Sequence, residues 1–220
     1  MAHASVKGYK GLGMEGFLAR WYAATTRKNL SFYQTLARRV ADELHPGAKV
    51  LEVAPGPGYF AIALAKLGAD VTGLDISHTF VEIGRRNAAE ANVKVGFQHG
   101  NASNMLFPEG SFDFLFCSAA FKNFSEPVRA LQEMRRVLRP GGKAMIVDLR
   151  RDAAREAINQ HVDSMKLSRT SALFTRLAFR FTLLKRAYTK SEFERMIAQA
   201  GFRSFEIRED LIGMEISLER

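Results

Sequence analysis

From residue 49 onwards, short apolar runs alternate with amphipathic stretches. Five of these runs are predicted strands: 49–54, 70–75, 93–98, 112–117 and 143–148. Helices are expected between them, and the clearest one follows Ser125. Its buried stripe is formed by Val128, Leu131, Met134 and Leu138, and Pro140-Gly141-Gly142 ends it. The alternation is typical of a parallel sheet covered by helices on both faces.

Both ends of the chain add helices or strands to this pattern. Before the first strand, apolar residues recur at helical spacing in two sets: Phe17, Leu18, Trp21 and Tyr22, then Phe32, Leu36, Val40 and Leu44. Residues 153–185 are predicted to form one or two helices. Thr189 or Ser191 caps a further helix that ends at Gly201. Two final strands at 202–208 and 211–218, joined by a tight turn near Asp210, predict an antiparallel hairpin at the sheet edge.

Composition and charge limit the classes of protein to which the chain can belong. The chain has 220 residues, 47% of them apolar, which predicts one globular α/β domain. Its net charge of +9 is concentrated in residues 150–190, where ten basic residues face three acidic ones. The single cysteine, Cys117, excludes a disulfide framework and a multi-cysteine metal site, so no metal and a reducing, cytoplasmic location are expected. Neither a secretory leader nor a spanning apolar run is predicted.

The strongest local signal is a buried strand that runs into a glycine turn and then a helix, over residues 49–60. Glycines at such a turn let a ligand approach the backbone, and the helix N-terminus directs N–H groups towards it. Asp75 ends the next strand, where a carboxylate can accept hydrogen bonds from ribose hydroxyls. Glu52 places a second carboxylate at the same edge. It would repel a pyrophosphate but attract a sulfonium or amino group, which argues against a dinucleotide.

With these features the chain resembles the class I S-adenosylmethionine-dependent methyltransferases, and within them the ubiquinone/menaquinone-biosynthesis-like small-molecule group. The resemblance runs from Lys49 to the C-terminus. It rests on five ordered motifs: VLEVAPGPG (50–58), GLDIS (73–77), GNA (100–102), FPEGSFD (107–113) and RRVLRPGG (135–142). It implies a Rossmann-like, seven-stranded, mostly parallel sheet with an antiparallel C-terminal hairpin. It also implies a single methyltransferase domain over 1–220, with an N-terminal helical lid (1–46) and a helical insertion (150–188) covering the substrate site.

The resemblance assigns cofactor contacts residue by residue. Glu52, Ala54, Gly56 and Gly58 would line the methionine half of S-adenosylmethionine. Asp75 would hold the ribose, Ile76 would lie against the adenine, Asn101 and Ala102 would meet the adenine edge, and Ser118 would lie beneath the cofactor. Two positions depart from the family pattern, which has glycine at Ala54 and aspartate at Asn101. We expect Ala54 to be tolerated if its φ is negative, and Asn101 to accept from the adenine amino group through its amide oxygen.

Candidate substrate contacts are weaker. Tyr22 lies in the N-terminal helix that closes over the cofactor in related enzymes. Lys122, where many relatives have a histidine, could neutralise an anionic substrate group or could be an exposed loop lysine. No catalytic residue is assigned. His161 is a candidate base, although a solvated position on a helix is the interpretation that the sequence favours.

The segment 165–188 is basic and amphipathic, with Leu173, Phe174, Leu177, Phe181 and Leu184 within about 100° of helical arc. We expect this apolar face to pack over the active site. The alternative is an interfacial helix that gives peripheral contact with an anionic membrane. The sequence thus predicts methyl transfer to a small, hydrophobic or partly anionic acceptor. A membrane-surface lipid or quinone methyltransferase, and an RNA methyltransferase that uses the basic surface, are the alternatives, but a nucleic-acid partner is not expected.

Overall fold

The computed structural model describes residues 8–11, 13–166 and 168–220. The strands in these residues are β1 (Lys49–Val53), β2 (Asp70–Asp75), β3 (Gly96–His99), β4 (Phe112–Ser118), β5 (Leu138–Leu149), β6 (Ser204–Glu209) and β7 (Gly213–Glu219). The helices are α1 (Gly16–Thr26), α2 (Leu30–Ala41), α3 (Tyr59–Ala65), α4 (His78–Glu90), α5 (Pro127–Val137), α6 (Arg155–Ser164), α7 (Arg169–Ala178), α8 (Leu184–Arg186) and α9 (Lys190–Ala200). A 3-10 turn (Phe121–Asn123) follows β4, and a π turn (Phe179–Leu183) joins α7 to α8.

The strands form one sheet in the order β3-β2-β1-β4-β5-β7-β6. The first five are parallel, and β7 runs antiparallel to both β5 and β6. This confirms the predicted Rossmann-like sheet with its antiparallel C-terminal hairpin. The strand order reverses between β1 and β4, so the crevice outside their carboxyl ends is the place where such sheets bind ligands.

The parallel strands are continuous apolar runs because they are covered on both faces. On one face Leu51 and Leu115 pack with residues of α5 and α9. On the other face Val50 and Phe116 pack with α2, α3 and α4. Phe60 stacks on Phe116 with ring centroids 4.0 Å apart, which ties α3 to β4 beside the glycine turn.

Two predicted strand starts were wrong by three residues or more. β3 begins at Gly96 rather than residue 93, because Asn92 has a φ of +53° and Val93 N–H still donates to the carbonyl of Ala88 in α4. β5 begins at Leu138 rather than at residue 143. The chain becomes extended directly after α5, and the C-terminal residue Arg220 exchanges backbone hydrogen bonds with Gly141 and Gly142. The pairing that lengthens β5 is therefore made by a distant part of the chain.

Helix α1 forms as predicted, but its buried side is different from the expected one. Ala19 and Ala23 are buried against Phe80 and Ile83 of α4. Trp21 is 54% exposed, and Phe17 is exposed as well. Small alanine side chains let α1 lie close to α4, so the larger apolar residues on the other side of α1 face outwards. In α2, Leu36 and Val40 are buried as predicted, whereas Phe32 is exposed.

Residues 155–186 form α6 and the continuous helical run from α7 to α8, in agreement with the predicted helices; Leu167 lies outside the described residues. The expectation that the apolar face of 165–188 packs over the active site was wrong. Leu173, Phe174, Leu177 and Phe181 are all exposed, and the buried residues are Ala172, Phe179 and Leu184. Among the described residues, no helix is long and apolar enough to cross a bilayer.

Candidate functional site at the carboxyl edge of the sheet

The turn between β1 and α3 forms the floor of the crevice. Ala54 N–H donates to the carbonyl of Leu74 at 2.8 Å, which fixes the turn to the neighbouring strand. The φ of Ala54 is +56°, so the condition of a negative φ, under which the alanine would be tolerated without strain, is not met. An L-residue with this backbone conformation is strained, which explains why the related family has glycine here. Gly56 also has a positive φ, of +54°, and a Cβ built on it would meet no atom within 4 Å, so open space adjoins the backbone here.

Gly58 lies where the turn meets α3. Its φ is +78° and it precedes the first residue of α3. A Cβ at this position would lie 2.5 Å from the Phe97 ring, so only glycine allows α3 to pack this closely on β3. Its predicted role of lining the cofactor stays a prediction, but its packing role is clear.

Asp75 ends β2 directly beside the turn. One carboxylate oxygen accepts the Gly56 N–H and the other accepts the Ser77 N–H, each at 2.9 Å. Burial raises the pKa of Asp75 to about 6, and these two backbone hydrogen bonds limit the rise. Each oxygen retains a further lone pair, so the group can still accept from a ligand.

Glu52 lies inside β1 and is buried at the same edge. Its Oε2 atom has no hydrogen-bond partner among the described residues. Burial, and then the nearby charge of Asp75, raise the pKa of Glu52 well above its ordinary value, while a backbone hydrogen bond from Ala61 lowers it. A buried carboxylate oxygen without a partner is costly. A cationic or N–H-bearing ligand would remove that cost.

On the predicted adenine side, the structure brings Ile76 and Asn101 to one place and covers them with the N-terminal segment. A Cβ built on Gly8 would lie 2.4 Å from Ile76 Cδ1 and 2.7 Å from Asn101 Nδ2. Asn101 Oδ1 already accepts the Ser103 N–H at 2.9 Å, so its remaining lone pair is the one available to a ligand. Ala102 is buried in the core cluster.

The N-terminal segment is held across the crevice by both backbone and side chains. Tyr9 makes a β-bridge with Phe124, and Lys10 N–H donates to the carbonyl of Asn123 at 2.6 Å. Lys10 Nζ donates to the hydroxyl of Tyr188 at 2.6 Å. The segment therefore connects the adenine side of the crevice to the region after β4 and to the chain that follows α8. Sequence reasoning missed this connection.

Lys122 lies in the 3-10 turn after β4 and is buried, so the alternative of an exposed loop lysine was wrong. Its Nζ donates to Asp148 Oδ1 at 2.8 Å, and its backbone N–H donates to Asp148 Oδ2 at 2.8 Å. Asp148 lies near the end of β5 and is itself buried. The sequence assigned Asp148 only to a strand. Its position at the carboxyl end of that strand was the available signal.

Tyr22 reaches the same region from α1. Burial raises the pKa of its hydroxyl, and the negative charge of Asp148 raises it further. Its ring meets Phe80 edge-on at 5.8 Å. Ser118, half-buried at the end of β4, pairs with Val147 of β5. Tyr22, Lys122 and Ser118 thus lie around the ends of β4 and β5.

His161 occupies a different place. It is half-buried on α6, and its ring meets Phe179 edge-on at 5.7 Å. Phe179 belongs to the cluster that α6, α7 and α8 form with Ile212. The ring contact of His161 therefore lies in this cluster. The role of His161 as a base stays a prediction.

The sheet order, the antiparallel hairpin and the open glycine turn beside Asp75 define a Rossmann-like protein that binds a nucleoside-containing cofactor. The methyltransferase domain family matches residues 51–146. Demethylmenaquinone methyltransferase from Staphylococcus haemolyticus is 31% identical over 187 residues, which cover 78% of this chain and 76% of that protein. The protein of the same name from Clavibacter sepedonicus is 38% identical over 102 residues, which cover 46% of this chain and only 41% of that protein.

The crystal structure of a SAM-dependent methyltransferase from Aquifex aeolicus superposes with a TM-score of 0.65 at 19% identity, covering 86% of this chain and 97% of that one. This likeness shows the shared fold. The chain belongs to the class I S-adenosylmethionine-dependent methyltransferases, in the group related to the quinone-biosynthesis enzymes. S-adenosylmethionine is accordingly its cofactor.

The residues present fit this cofactor. The unpartnered oxygen of Glu52 suits the positively charged methionine half. The open space at Gly56 admits a ligand against the backbone, and the spare lone pairs of Asp75 suit the ribose hydroxyls. The departure at Ala54 strains the turn without closing it.

Proposed function

We propose that this chain transfers a methyl group from S-adenosylmethionine to a small, hydrophobic or partly anionic acceptor of the quinone class. The names of the Staphylococcus and Clavibacter relatives support the acceptor class. The observation that carries the cofactor side is the pair of buried carboxylates, Glu52 and Asp75, at an open glycine turn. Two carboxylates without a cation between them are unfavourable in a buried place, and a sulfonium-bearing nucleoside complements both.

The acceptor side is built around Lys122, Asp148 and Tyr22. Because Lys122 is ion-paired with Asp148, the pair contributes polar groups but little net charge. The Tyr22 hydroxyl is neutral at physiological pH, and burial and Asp148 raise its pKa further, so it can donate a hydrogen bond to a carbonyl or phenolate oxygen. Neutral polar groups suit an apolar ring with oxygen substituents better than a strongly anionic substrate.

S-adenosylmethionine supplies an activated methyl group on a sulfonium. The protein's contribution is then to hold the acceptor in line with that methyl group and to exclude water. The segment around Gly8–Gly11 covers the crevice from one side and connects to Tyr188 on the other. His161 stays the candidate for removing the acceptor's proton, acting from the helices that follow β5.

The cofactor assignment is tested by calorimetry with S-adenosylhomocysteine. We expect the wild-type protein to bind it. Asp75→Ala should lose at least about tenfold in affinity, because the ribose hydroxyls can no longer donate their two hydrogen bonds to the Asp75 carboxylate. Asp70→Ala is the matched control, because Asp70 is exposed at the opposite end of the same strand. Absence of binding by the wild type, or equal binding by Asp75→Ala, would refute the assignment.

The acceptor class is tested with radiolabelled S-adenosylmethionine. A reduced, short-chain demethylquinone should be methylated, and Tyr22→Phe should slow the transfer while leaving the affinity for S-adenosylhomocysteine unchanged. Labelling of RNA without labelling of the quinol would overturn the acceptor class but not the cofactor.

A further inference from the structure

An apolar surface on the α7-to-α8 run faces away from the protein. We call it the outer face; it consists of Leu173, Phe174, Leu177 and Phe181. Phe174 is 71% exposed and the other three are also exposed. The opposite side of the same run is fixed to the protein by Ala172, Phe179 and Leu184, which pack with Ile158, Val162 and Ile212. The rotation of the helix is therefore set, and the outer face has no partner among the described residues.

The π turn decides this arrangement. In an uninterrupted α-helix, Leu184 would lie in the same arc as Leu177 and Phe181. The wider turn over Phe179–Leu183 takes up about one extra residue, which rotates the start of α8 by roughly 100°. Leu184 is thereby buried while Leu177 and Phe181 stay outside. Such turns are frequent at functional sites.

The sequence that carries the outer face is strongly basic. Between Asp163 and Glu192 the sequence has no acidic residue and seven basic ones: Lys166, Arg169, Arg176, Arg180, Lys185, Arg186 and Lys190. Arg176 is ion-paired with Asp163 across the loop. Arg180 and Lys185 both lie over the ring of Phe181, at 5.3 Å and 5.9 Å from its centroid. Cationic groups thus border the apolar side chains directly.

We propose that the outer face docks on an anionic lipid bilayer. Its leucines and phenylalanines enter the boundary between head groups and acyl chains, and the bordering arginines and lysines meet the lipid phosphates. The surface is on the segment predicted to cover the acceptor site, so docking would bring that site to the membrane in which a hydrophobic acceptor dissolves. The idea that docking brings the site to its acceptor rests on the proposed function. The docking of the outer face on lipid does not.

A second copy of the chain fits the outer face less well than lipid does. A two-fold contact would bring each outer face onto its own equivalent. Arg180 and Lys185, which border Phe181, would then meet their equivalents in the other copy, and the sequence between Asp163 and Glu192 has no acidic residue to compensate them. An anionic surface complements both the charge and the apolar side chains.

Vesicle co-sedimentation tests the proposal, using phosphatidylcholine vesicles with and without phosphatidylglycerol. We expect binding to the anionic vesicles only, weakening with added salt. Arg169→Glu/Arg180→Glu should reduce binding at least tenfold, since each basic side chain near such a surface contributes measurably. Phe174→Ser/Phe181→Ser should reduce it similarly at low salt. All four side chains are exposed, so the fold should survive.

Lys66→Glu/Lys94→Glu is the matched control, because it makes the same change in net charge at positions outside the segment. An equal loss in this control would mean that only total charge matters, and would overturn the proposal. So would a failure of the wild type to bind anionic vesicles. A dimer in solution that Phe174→Ser/Phe181→Ser dissociates, without vesicle binding, would assign the outer face to self-association instead. None of these results depends on methyl transfer, which the S-adenosylhomocysteine calorimetry tests separately.

Discussion

Two alanines at the crevice have backbone conformations that suit glycine. Ala54 follows β1 with a φ of +56°, and Ala119 follows β4 with a φ of +55°. Both are held there by sheet-like hydrogen bonds, from Ala54 N–H to Leu74 and from Ala119 N–H to Val147, each at 2.8 Å. Strain of this kind persists where the surrounding structure enforces it, and it is concentrated at functional sites. Here it lies at the carboxyl ends of the two strands that flank the crevice.

Replacing Ala54 by glycine should therefore stabilise the protein. Relief of the left-handed strain contributes about 1–2 kcal/mol, and the extra flexibility of glycine in the unfolded chain removes about 0.5–1 kcal/mol. We expect a net gain of about 0.5–1 kcal/mol in the free energy of unfolding, measured by urea titration. Ala69→Gly, at a position without a positive φ, should be destabilising. A loss of stability in both variants would contradict the account of Ala54.

Asp75 makes cofactor binding depend on pH. Its pKa in the folded protein is about 6, above the ordinary value of 3.8, because the carboxyl group is buried. Protonation removes the charge that ribose hydroxyls donate to, so affinity for S-adenosylhomocysteine should fall as the pH is lowered through about 6. The stability of the fold changes with pH in the opposite direction to the affinity. The stabilisation linked to Asp75 is full below about pH 4 and is lost as the pH rises through 6.

Calorimetry across this pH range checks the binding step. Since the pKa of Glu52 is also raised, the titration is best followed in Glu52→Gln, where the remaining step belongs to Asp75. Adding Asp75→Asn should leave a weak, pH-independent affinity. A step near pH 6 that persists in the double variant would assign the dependence to another group.

At the scale of elements, the 3-10 turn after β4 is anchored to β5 by one buried ion pair. Lys122 donates to Asp148 through both its side chain and its backbone, and Asp148 also accepts the N–H of Leu149. The turn carries Asn123, to which the N-terminal segment is hydrogen-bonded. The pair thus supports three elements that meet at the acceptor side of the crevice.

Breaking this pair should cost more than removing it. Lys122→Met leaves a buried charge on Asp148 without its partner, and we expect a loss of roughly 3–5 kcal/mol in the free energy of unfolding. The double variant Lys122→Met/Asp148→Asn should recover much of that loss, because no unpaired charge remains. Chemical denaturation of the two single variants and the double variant measures the coupling. Strictly additive losses would show that the two groups do not act as a pair.

Across the whole molecule, the net charge of +9 is unevenly distributed. Residues 150–190 account for a local balance of +7, and the cofactor-binding strands lie outside that range. The charge therefore belongs to the side of the protein that carries α6, α7 and α8, and the proposed docking surface uses it.

The parallel sheet and its hairpin could be predicted because buried strands leave continuous apolar runs and the motifs follow one another in order. The sides on which α1 and α7 are buried could not. In both helices an alanine, Ala19 or Ala172, lies at the contact and larger apolar residues face outwards, so apolarity alone points to the wrong side. The partner of Lys122 was equally hidden, because Asp148 is 26 residues away and is brought near only by the pairing of β4 with β5.

The π turn at Phe179–Leu183 makes the side on which α8 is buried depend on the length of the chain as well as on its composition. Deleting one residue there would return the run to a regular helical repeat. Leu184 would move outwards and leave a hole above Ile158 and Ile212. A change of one residue in length at this turn would thus exchange the buried and exposed sides of α8 while leaving every leucine and arginine of α7 in place.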